Sequence, residues 1–150
     1  MERIVPLLKL RLYWAVMDEL FEKIIAGTIP SEKVHEDEHT YAFLDINPTA
    51  PGHTLVVPKQ KSTNIFDIPE SDWLAVMKTV RMLAPYIKEA MRADGLNIVM
   101  NNEPAGHQVV MHAHVHIIPR FEGDGLKPWR GRPYEEGEAQ RVAEKIRSLL

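Results

Sequence analysis

Residues 109–118 read Val-Val-Met-His-Ala-His-Val-His-Ile-Ile, so histidines alternate with apolar residues. Successive side chains of a β-strand point to opposite faces of the sheet. In a strand predicted over residues 108–119, one face therefore collects His112, His114 and His116. The other face collects Val109, Met111, Ala113, Val115 and Ile117. We expect the apolar face to pack against a core and the histidine face to place three imidazole rings in a row.

Three interpretations of this histidine row are open. The rings could be partly exposed structural groups that are satisfied by hydrogen bonds. They could bind a metal ion, although alternate strand residues lie about 6.6–7 Å apart, so only two rings could reach a zinc ion that binds nitrogen at about 2.1 Å unless the strand bends. They could also perform nucleophilic catalysis at phosphorus, because a neutral imidazole is both a nucleophile and a leaving group near pH 7. In that case the middle ring, His114, attacks and its neighbours donate hydrogen bonds to phosphate oxygens.

The composition of the chain excludes several other classes of site. Its 150 residues carry 18 basic and 21 acidic side chains, a net charge of −3, so we expect no nucleic-acid or membrane partner held by bulk positive charge. No cysteine is present, which excludes disulfides, thiolate zinc ligands and a cysteine nucleophile. The absence of cysteine also fits a reducing compartment, and we expect a cytoplasmic protein.

The chain is interpreted as a single domain over residues 17–150, preceded by an extension over residues 1–16. A hydrophobic content of 45% is enough for one core. The extension is apolar but contains four charged residues, so its uncharged runs are too short to span a bilayer. We expect it to form a helix or an arm that packs on the domain or on a partner subunit.

Periodicity along the chain predicts an α+β fold. Val76, Val80 and Leu83 keep the period of a helix, whereas short β-branched and aromatic runs are typical of strands. Strands are predicted over residues 34–35, 41–45, 53–57, 96–101 and 108–119, and helices over residues 18–25, 69–93 and 135–150. These elements predict a mainly antiparallel sheet with the helices on one face.

The histidine row also resembles a known signature. Residues 112–118, His-Ala-His-Val-His-Ile-Ile, are similar to the motif of the histidine triad (HIT) family of nucleotide hydrolases and transferases. Residues 20–30 resemble the family's opening helix and turn, and residues 42–53 and 55–59 resemble its nucleoside-binding strand and loop. The resemblance covers roughly residues 18–120. It implies a HIT-like fold with a five-stranded sheet, and a homodimer in which two sheets join into one of ten strands.

The resemblance implies a role for each matching residue. His114 would attack the α-phosphorus of a nucleotide and form a covalent nucleotidyl-histidine that water resolves. The carbonyl of His112 would hold the far nitrogen of His114, while the rings of His112 and His116 would support the phosphate oxygens and the leaving group. His53 would form a hydrogen bond within the cluster. The implied nucleotide contacts are Asp45 to the ribose, Asn101 and Gln108 to the phosphate or leaving group, and Leu20, Phe21, Ile24, Phe43 and Ile46 around the base.

Each of these assignments has a plainer alternative. Asp45 could form a turn beside a proline-rich loop, Asn101 could end a strand, and His53 could lie on the surface. The apolar residues of the base slot could be ordinary core.

The chain departs from the family pattern at two positions near the histidines. His107 stands where glycine is common, and Val109 stands where a hydroxyl group often contacts phosphate. The chain also lacks the cysteine pair that binds structural zinc in some bacterial members, so we expect no metal ion. His116 stands where the transferase branch usually has glutamine, which favours hydrolysis over transfer.

The implied activity is hydrolysis of a purine nucleotide at its α-phosphate with release of a nucleoside monophosphate, as in a purine nucleoside phosphoramidase. The alternatives are a dinucleoside polyphosphate hydrolase, acting on diadenosine tri- or tetraphosphate, and a nucleotide-binding regulatory protein with incidental turnover. No cofactor is required for bond making, and magnesium is expected only with polyphosphate substrates. Trp129 and residues 123–132 are expected to shape the leaving-group pocket of this protomer or of its partner.

Overall fold

The computed structural model describes residue 17 and residues 19–150 of the chain. The strands are β1 (Lys33–Glu36), β2 (Thr40–Leu44), β3 (Thr54–Pro58), β4 (Gly95–Val99) and β5 (Val115–Arg120), and the helices are α1 (Leu20–Ile25), α2 (Glu70–Met91) and α3 (Glu138–Arg147), with a 3-10 turn at Pro104–Gly106. The strands form one antiparallel sheet in the order β1-β2-β3-β5-β4. The predicted α+β fold with a five-stranded antiparallel sheet is confirmed. The extension expected over residues 1–16 lies outside the described residues.

The long helix α2 covers one face of the sheet. It begins after Pro69, and its first turn holds Glu70 and Asp72, whose negative charge stabilises a helix N-terminus. Arg92 ends the helix in the left-handed conformation, with φ of 51°. The buried stripe of α2 and the strands beneath it form one core cluster: Ala42, Val56, Val76, Val80, Leu83, Ile87, Val115 and Ile117. This packing holds β3 and β5 in place through the face of the sheet that α2 covers. The opposite face of these strands is then available for polar side chains.

The short helix α1 lies on the opposite face. It forms a second core cluster with the strands: Phe21, Ile24, Tyr41, Phe43, Leu55, Val57 and Val110. Along β2 the side chains alternate between the clusters, since Ala42 packs under α2 while Tyr41 and Phe43 pack under α1. The expectation that the helices gather on one face therefore holds for α2 and not for α1. Because both faces are covered, the histidines lie in a semi-enclosed site and not on a solvated surface.

The C-terminal segment packs least closely on the domain. Helix α3 buries none of its side chains, and Trp129, Ile146 and Leu149 are all exposed. Across the residues that the structure describes, no helix has the length and apolar character needed to cross a bilayer.

The predicted strand over residues 108–119 is wrong in its first half, because β5 begins only at Val115. Residues 108–114 are irregular, and Val109, assigned to the core face, is 61% exposed while Val110 is buried. Their backbone groups bond outside the ladder: the Ala113 N–H donates to the Ser62 carbonyl at 2.8 Å, and the Val110 carbonyl accepts from a side chain. The three histidines therefore do not lie on one flat face, and only His116 belongs to a regular strand.

Strand pairing places the site at the centre of the sheet. His116 on β5 lies opposite Leu55 on β3 and opposite Val99 on β4. His53 comes directly before β3, after Gly52, whose φ of +87° requires glycine. A Cβ atom at Gly52 would lie 2.5 Å from the Met91 side chain. The tight turn at Gly52 thus brings His53 beside the start of β5.

Candidate active site

His114 is held so that one of its ring nitrogens is available for attack. Its Nδ1 lies 2.7 Å from the carbonyl oxygen of His112. A carbonyl can only accept, so Nδ1 carries the proton and Nε2 carries the lone pair. The side chain is 6% exposed, and burial lowers the pKa of His114 more than the carbonyl raises it. The structure therefore presents a neutral imidazole whose unprotonated Nε2 is a nucleophile at pH 7.

His53 and His116 form a hydrogen-bonded pair with a defined proton arrangement. The backbone N–H of Thr49 donates to Nδ1 of His53 at 3.1 Å, so the His53 proton lies on Nε2. That Nε2 lies 2.9 Å from Nδ1 of His116 and donates to it, which leaves the His116 proton on its own Nε2. Nε2 of His116 is buried and has no partner among the described residues. The His116 ring lies 4.9 Å from the His114 ring, so an unsatisfied donor stands beside the nucleophile.

Both rings of this pair are held neutral by their surroundings. Burial lowers the pKa of His53, against the opposing effect of the Asp45 carboxylate. Burial, together with repulsion from the His114 and His53 rings, lowers the pKa of His116 to about 4. The 3.7 Å contact between Asp45 Oδ2 and His53 Nε2 is therefore a contact between a charge and a neutral N–H group, not an ion pair.

His112 anchors the site and does not reach into it. The ring is 0% exposed, its Nε2 donates to the Pro58 carbonyl at 2.8 Å, and its Nδ1 faces Glu22. The expectation that the His112 ring supports phosphate oxygens is wrong for this reason, because neither ring nitrogen is open to a substrate. The carbonyl of His112 contributes instead, since it fixes the tautomer of His114.

Asp45 and Asn101 lie at the edge of the histidine cluster. Asp45 follows β2, and its Oδ1 accepts the backbone N–H of Asn47 at 2.8 Å, while Oδ2 faces His53. Asn101 is half-buried two residues beyond Val99, the β4 residue that pairs with His116. The structure thus places the Asp45 side chain beside the histidines, whereas Asn101 is placed near them only by its position in the chain. Their contacts to a nucleotide stay predictions.

Gln108 holds a loop together and has no group to spare for phosphate. Its Oε1 accepts from the Glu103 N–H at 2.8 Å and from Asn64 Nδ2 at 3.2 Å. Its Nε2 donates to the carbonyls of Thr63 at 2.7 Å and Val110 at 3.0 Å. All four hydrogen-bonding positions of the amide are therefore used within the protein. We interpret Gln108 as a positioning residue for the loop instead of the phosphate contact expected from the sequence.

The same loop explains why glycine is common in the family at the position of His107. His107 adopts the left-handed conformation, with φ of 65°, and Glu103 also has a positive φ of 63°. Glycine adopts such angles without steric cost, so a family preference for glycine at this position has a physical cause. The bonds from Gln108 across this loop offset the strain at Glu103.

The residues expected around the base differ in how far they are open to a ligand. Phe21, Ile24 and Phe43 are buried within the α1 core cluster, and the Phe21 ring stands edge-on to His114 at 5.2 Å. Leu20 is half-buried, and Ile46 is 92% exposed beside Asp45. Phe21, Ile24 and Phe43 therefore form the buried floor of the proposed base slot. Of the five residues expected around the base, only Leu20 and Ile46 leave side-chain surface free for a base.

One group among the described residues could hold a metal ion. Asp45, His53 and His116 each offer a ligand atom, and these atoms lie within 4.8 Å of one another. Both nitrogens of His53 are already used, by the Thr49 N–H and by His116. A metal ion at His53 would therefore break one of the two bonds that set the protons of the pair. The residues present fit the hydrogen-bonded arrangement better than a metal centre.

Sequence reasoning missed three groups that shape the site. The Thr49 N–H sets the tautomer of His53, the Pro58 carbonyl anchors His112, and Glu22 faces the His112 ring. The first two are backbone groups, for which residue identity gives no signal. Glu22 does offer one: it is an acidic residue between Phe21 and Ile24, on the helix that packs against the histidines.

Several known proteins are similar to this chain in sequence and in fold. The family model described as the HIT domain matches residues 26–123. A Saccharomyces cerevisiae protein named adenosine 5'-monophosphoramidase HNT1 is 39% identical over 132 residues, which cover 87% of this chain and 80% of the yeast protein. A Streptococcus mutans crystal structure is similar with a TM-score of 0.81 at 40% identity, covering 86% of this chain and 83% of that one. The crystal structure of a HIT family member from Bacillus subtilis gives 0.80 at 38% identity, covering 87% and 96%. The chain therefore belongs to the HIT family.

Proposed function

We propose that this protein is a cytoplasmic nucleotide hydrolase of the purine nucleoside phosphoramidase type, acting through a covalent intermediate on His114. The observation on which this rests is the hydrogen bond from His114 Nδ1 to the His112 carbonyl, which leaves Nε2 as a buried, neutral nucleophile. The name of the yeast relative supports a phosphoramidate as the substrate class.

The first step forms a bond between His114 and phosphorus. The Nε2 lone pair attacks the α-phosphorus, and the bond from phosphorus to the amine leaving group breaks with its electron pair on the amine. The amine takes up a proton from solvent as it leaves, because the neutral His116 ring offers its Nε2–H only as a hydrogen bond. The N–H of His116 Nε2, unpartnered within the described chain, is the donor for a phosphate oxygen or for the departing group.

The second step returns the enzyme to its starting state. Water attacks phosphorus, the bond from phosphorus to Nε2 breaks, and the proton that water loses returns to solvent. The nucleoside monophosphate is then released with Nε2 again carrying its lone pair. In this scheme Asp45 Oδ2 accepts from the ribose hydroxyls, Leu20 and Ile46 flank the base over the Phe21 floor, and Asn101 contacts the phosphate.

We also propose a homodimer formed through β4. Because the strand order is β1-β2-β3-β5-β4, β4 is an edge with unpaired backbone groups, and Ile98 on it is partly exposed. Pairing of two β4 strands would build a ten-stranded sheet and cover this edge. It would also give the exposed Trp129 a surface to pack on, near the partner's leaving-group pocket.

The substrate class is tested by turnover of two compounds under identical conditions. We expect adenosine 5'-phosphoramidate to be hydrolysed without added metal, and diadenosine tetraphosphate to be hydrolysed more slowly even with magnesium. Faster turnover of the dinucleotide would instead support the polyphosphate hydrolase. Tight nucleotide binding with no turnover of either compound would support a regulatory protein.

A further inference from the structure

The His112 carbonyl that orients His114 belongs to a peptide group that is held at both ends. Its C=O accepts from Nδ1 of His114 at 2.7 Å. Its N–H, which belongs to Ala113, donates to the Ser62 carbonyl at 2.8 Å. A peptide group that donates a hydrogen bond is a better acceptor at its carbonyl, because successive bonds polarise one another. The Ser62 carbonyl therefore strengthens the bond that fixes the tautomer of His114.

The Ser62 carbonyl is one end of a second peptide group, and the other end of that group meets a carboxylate. The N–H of this group, which belongs to Thr63, donates to Oδ2 of Asp67 at 2.9 Å. An unbroken series of three hydrogen bonds thus leads from the His114 ring through two peptide groups to Asp67. We refer to this series as the Asp67 relay.

Asp67 holds the loop before α2 with both of its carboxylate oxygens. Oδ1 accepts the N–H of Asn64 at 2.8 Å, next to the bond from Thr63 to Oδ2. The backbone hydrogen bonds from Asn64 and Thr63 lower the pKa of Asp67, so the exposed carboxyl is ionised at neutral pH. The Thr63 carbonyl accepts from Nε2 of Gln108 at 2.7 Å. Asp67 therefore fixes two successive peptide groups, and each of them also bonds to the segment that carries the histidines.

We propose that Asp67 is a positioning residue that stabilises the attack by His114 through the Asp67 relay. When Nε2 of His114 bonds to phosphorus, the ring gains positive charge and its Nδ1–H becomes a stronger donor to the His112 carbonyl. The two peptide groups transmit this polarisation to the negative charge of Asp67. In a Ser-His-Asp triad the aspartate performs the same task by direct contact with the imidazole. This inference rests on the proposed function.

A purely structural role for Asp67 gives a different expectation. The N–H groups of Asp67 and Ile68 both donate to the Asn64 carbonyl, at 3.4 and 3.1 Å, so the Asp67 side chain could simply close this turn. Loss of such a contact would lower the free energy of unfolding and leave kcat of the folded protein unchanged. The Asp67 relay instead predicts a lower kcat at unchanged KM, because the proposed nucleoside contacts of Asp45 and Ile46 lie outside this loop.

The test compares Asp67→Asn with Asp37→Asn, since asparagine keeps the shape of aspartate without its charge. Asp37 is a matched control, because its Oδ1 accepts the backbone N–H groups of His39 and Thr40 at 2.8 and 2.7 Å in the exposed turn between β1 and β2. For Asp67→Asn we expect kcat for adenosine 5'-phosphoramidate to fall by about three- to tenfold, less than the ~10²-fold that a 1 Å misplacement can cost. KM in Asp67→Asn, and both constants in Asp37→Asn, should stay close to wild type. Equal kcat values for the two variants would overturn the proposal.

A second measurement does not depend on turnover. Proton NMR of protein labelled with nitrogen-15 histidine reports the Nδ1 proton of His114, which is identified by its loss in His114→Ala. In Asp67→Asn this resonance should move to higher field, because the His112 carbonyl becomes a weaker acceptor. Asp37→Asn should leave it in place. An unchanged resonance in folded Asp67→Asn would exclude the Asp67 relay, whatever the change in kcat.

A second variant keeps the comparison open if Asp67→Asn does not fold. Asp67→Ser retains a hydroxyl group that can close the turn but carries no charge, so the same loss of kcat and the same change in resonance are expected. If wild type hydrolysed no nucleotide while the NMR difference appeared, the proposed function would fail and the Asp67 relay would stand. If wild type turned over substrate and neither variant of Asp67 differed from it, the Asp67 relay alone would fail.

Discussion

The two outer histidines of the row have the same residue type and opposite surroundings. His112 is bound by a backbone carbonyl and lends its own carbonyl to His114, so these two residues form a nucleophile half. His116 is bound by the ring of His53, and this pair forms a donor half that ends in an N–H with no partner among residues 17 and 19–150. The comparison shows that the hydrogen-bond partner of one ring nitrogen decides whether the second nitrogen of that ring is a donor or an acceptor. The position of the histidine in the motif does not decide it.

The largest effect is expected in the nucleophile half. His114→Ala should lower kcat for adenosine 5'-phosphoramidate by about 10⁴-fold or more, because the variant lacks the nitrogen that forms the covalent intermediate. Steady-state kinetics would measure the loss, with nucleotide binding by calorimetry and thermal unfolding as controls. Retention of activity within tenfold of wild type would show that the nucleophile lies elsewhere.

A smaller loss is expected in the donor half. His116→Ala should lower kcat by about 10²–10³-fold, the usual cost of one transition-state donor. Since Nε2 of His114 is unaffected, the covalent intermediate should still form, only slowly. Single-turnover experiments would measure this rate. If the adduct formed at the wild-type rate, the Nε2–H of His116 would have no role in the first step.

Loss of the proposed ribose contact at Asp45 should have a smaller effect than either histidine substitution. Asp45→Asn should raise KM for a ribonucleotide substrate by about tenfold, in line with the 1.5–3 kcal/mol of a hydrogen bond to a charged group. KM for the matching 2',3'-dideoxy substrate should change little, because it has no hydroxyl to bind. Equal changes for both substrates would assign Asp45 to the His53 contact instead.

The smallest effect concerns the stability of the protein in acid. His116 has a folded pKa of about 4, below the ~6.5 of the unfolded chain, so the unfolded state binds more protons as pH falls through this window. The resulting stability is complete above pH 6.5 and is lost between about pH 6.5 and 4. In His116→Gln we expect this loss to shrink by about 1–2 kcal/mol. Denaturant unfolding at pH 7 and pH 4.5 would measure it, and parallel losses in both proteins would contradict the assignment.

Local patterns were enough to predict most of the fold. The alternation of Tyr41, Ala42 and Phe43 marks a strand buried on both faces, and the stripe of α2 appears at its expected period. The extent of β5 could not be predicted in this way. Within residues 108–114, the Val110 carbonyl accepts from the Gln108 side chain and the Ala113 N–H donates to the Ser62 carbonyl. The second of these bonds joins distant parts of the chain, so a local pattern could not predict it.

In the candidate site, too, some features could be predicted from the sequence and others could not. The cluster of His53, His114 and His116 follows from motif and strand register, and the structure brings these residues together. The enclosed position of the His112 ring and the full use of the Gln108 amide depend on tertiary hydrogen bonds that residue spacing does not encode. Residue type therefore indicated which groups meet, while the structure assigns the proton on each ring.

The most direct measurement is mass spectrometry of protein quenched with acid-free denaturant during turnover of adenosine 5'-phosphoramidate. We predict an added nucleotidyl mass, which is the mass of the nucleoside monophosphate less one water, on the peptide that contains His114. This adduct should appear in wild type, accumulate slowly in His116→Ala and be absent in His114→Ala. A protein that turns over substrate with no adduct at any time point, or with the adduct on another residue, would contradict attack by His114.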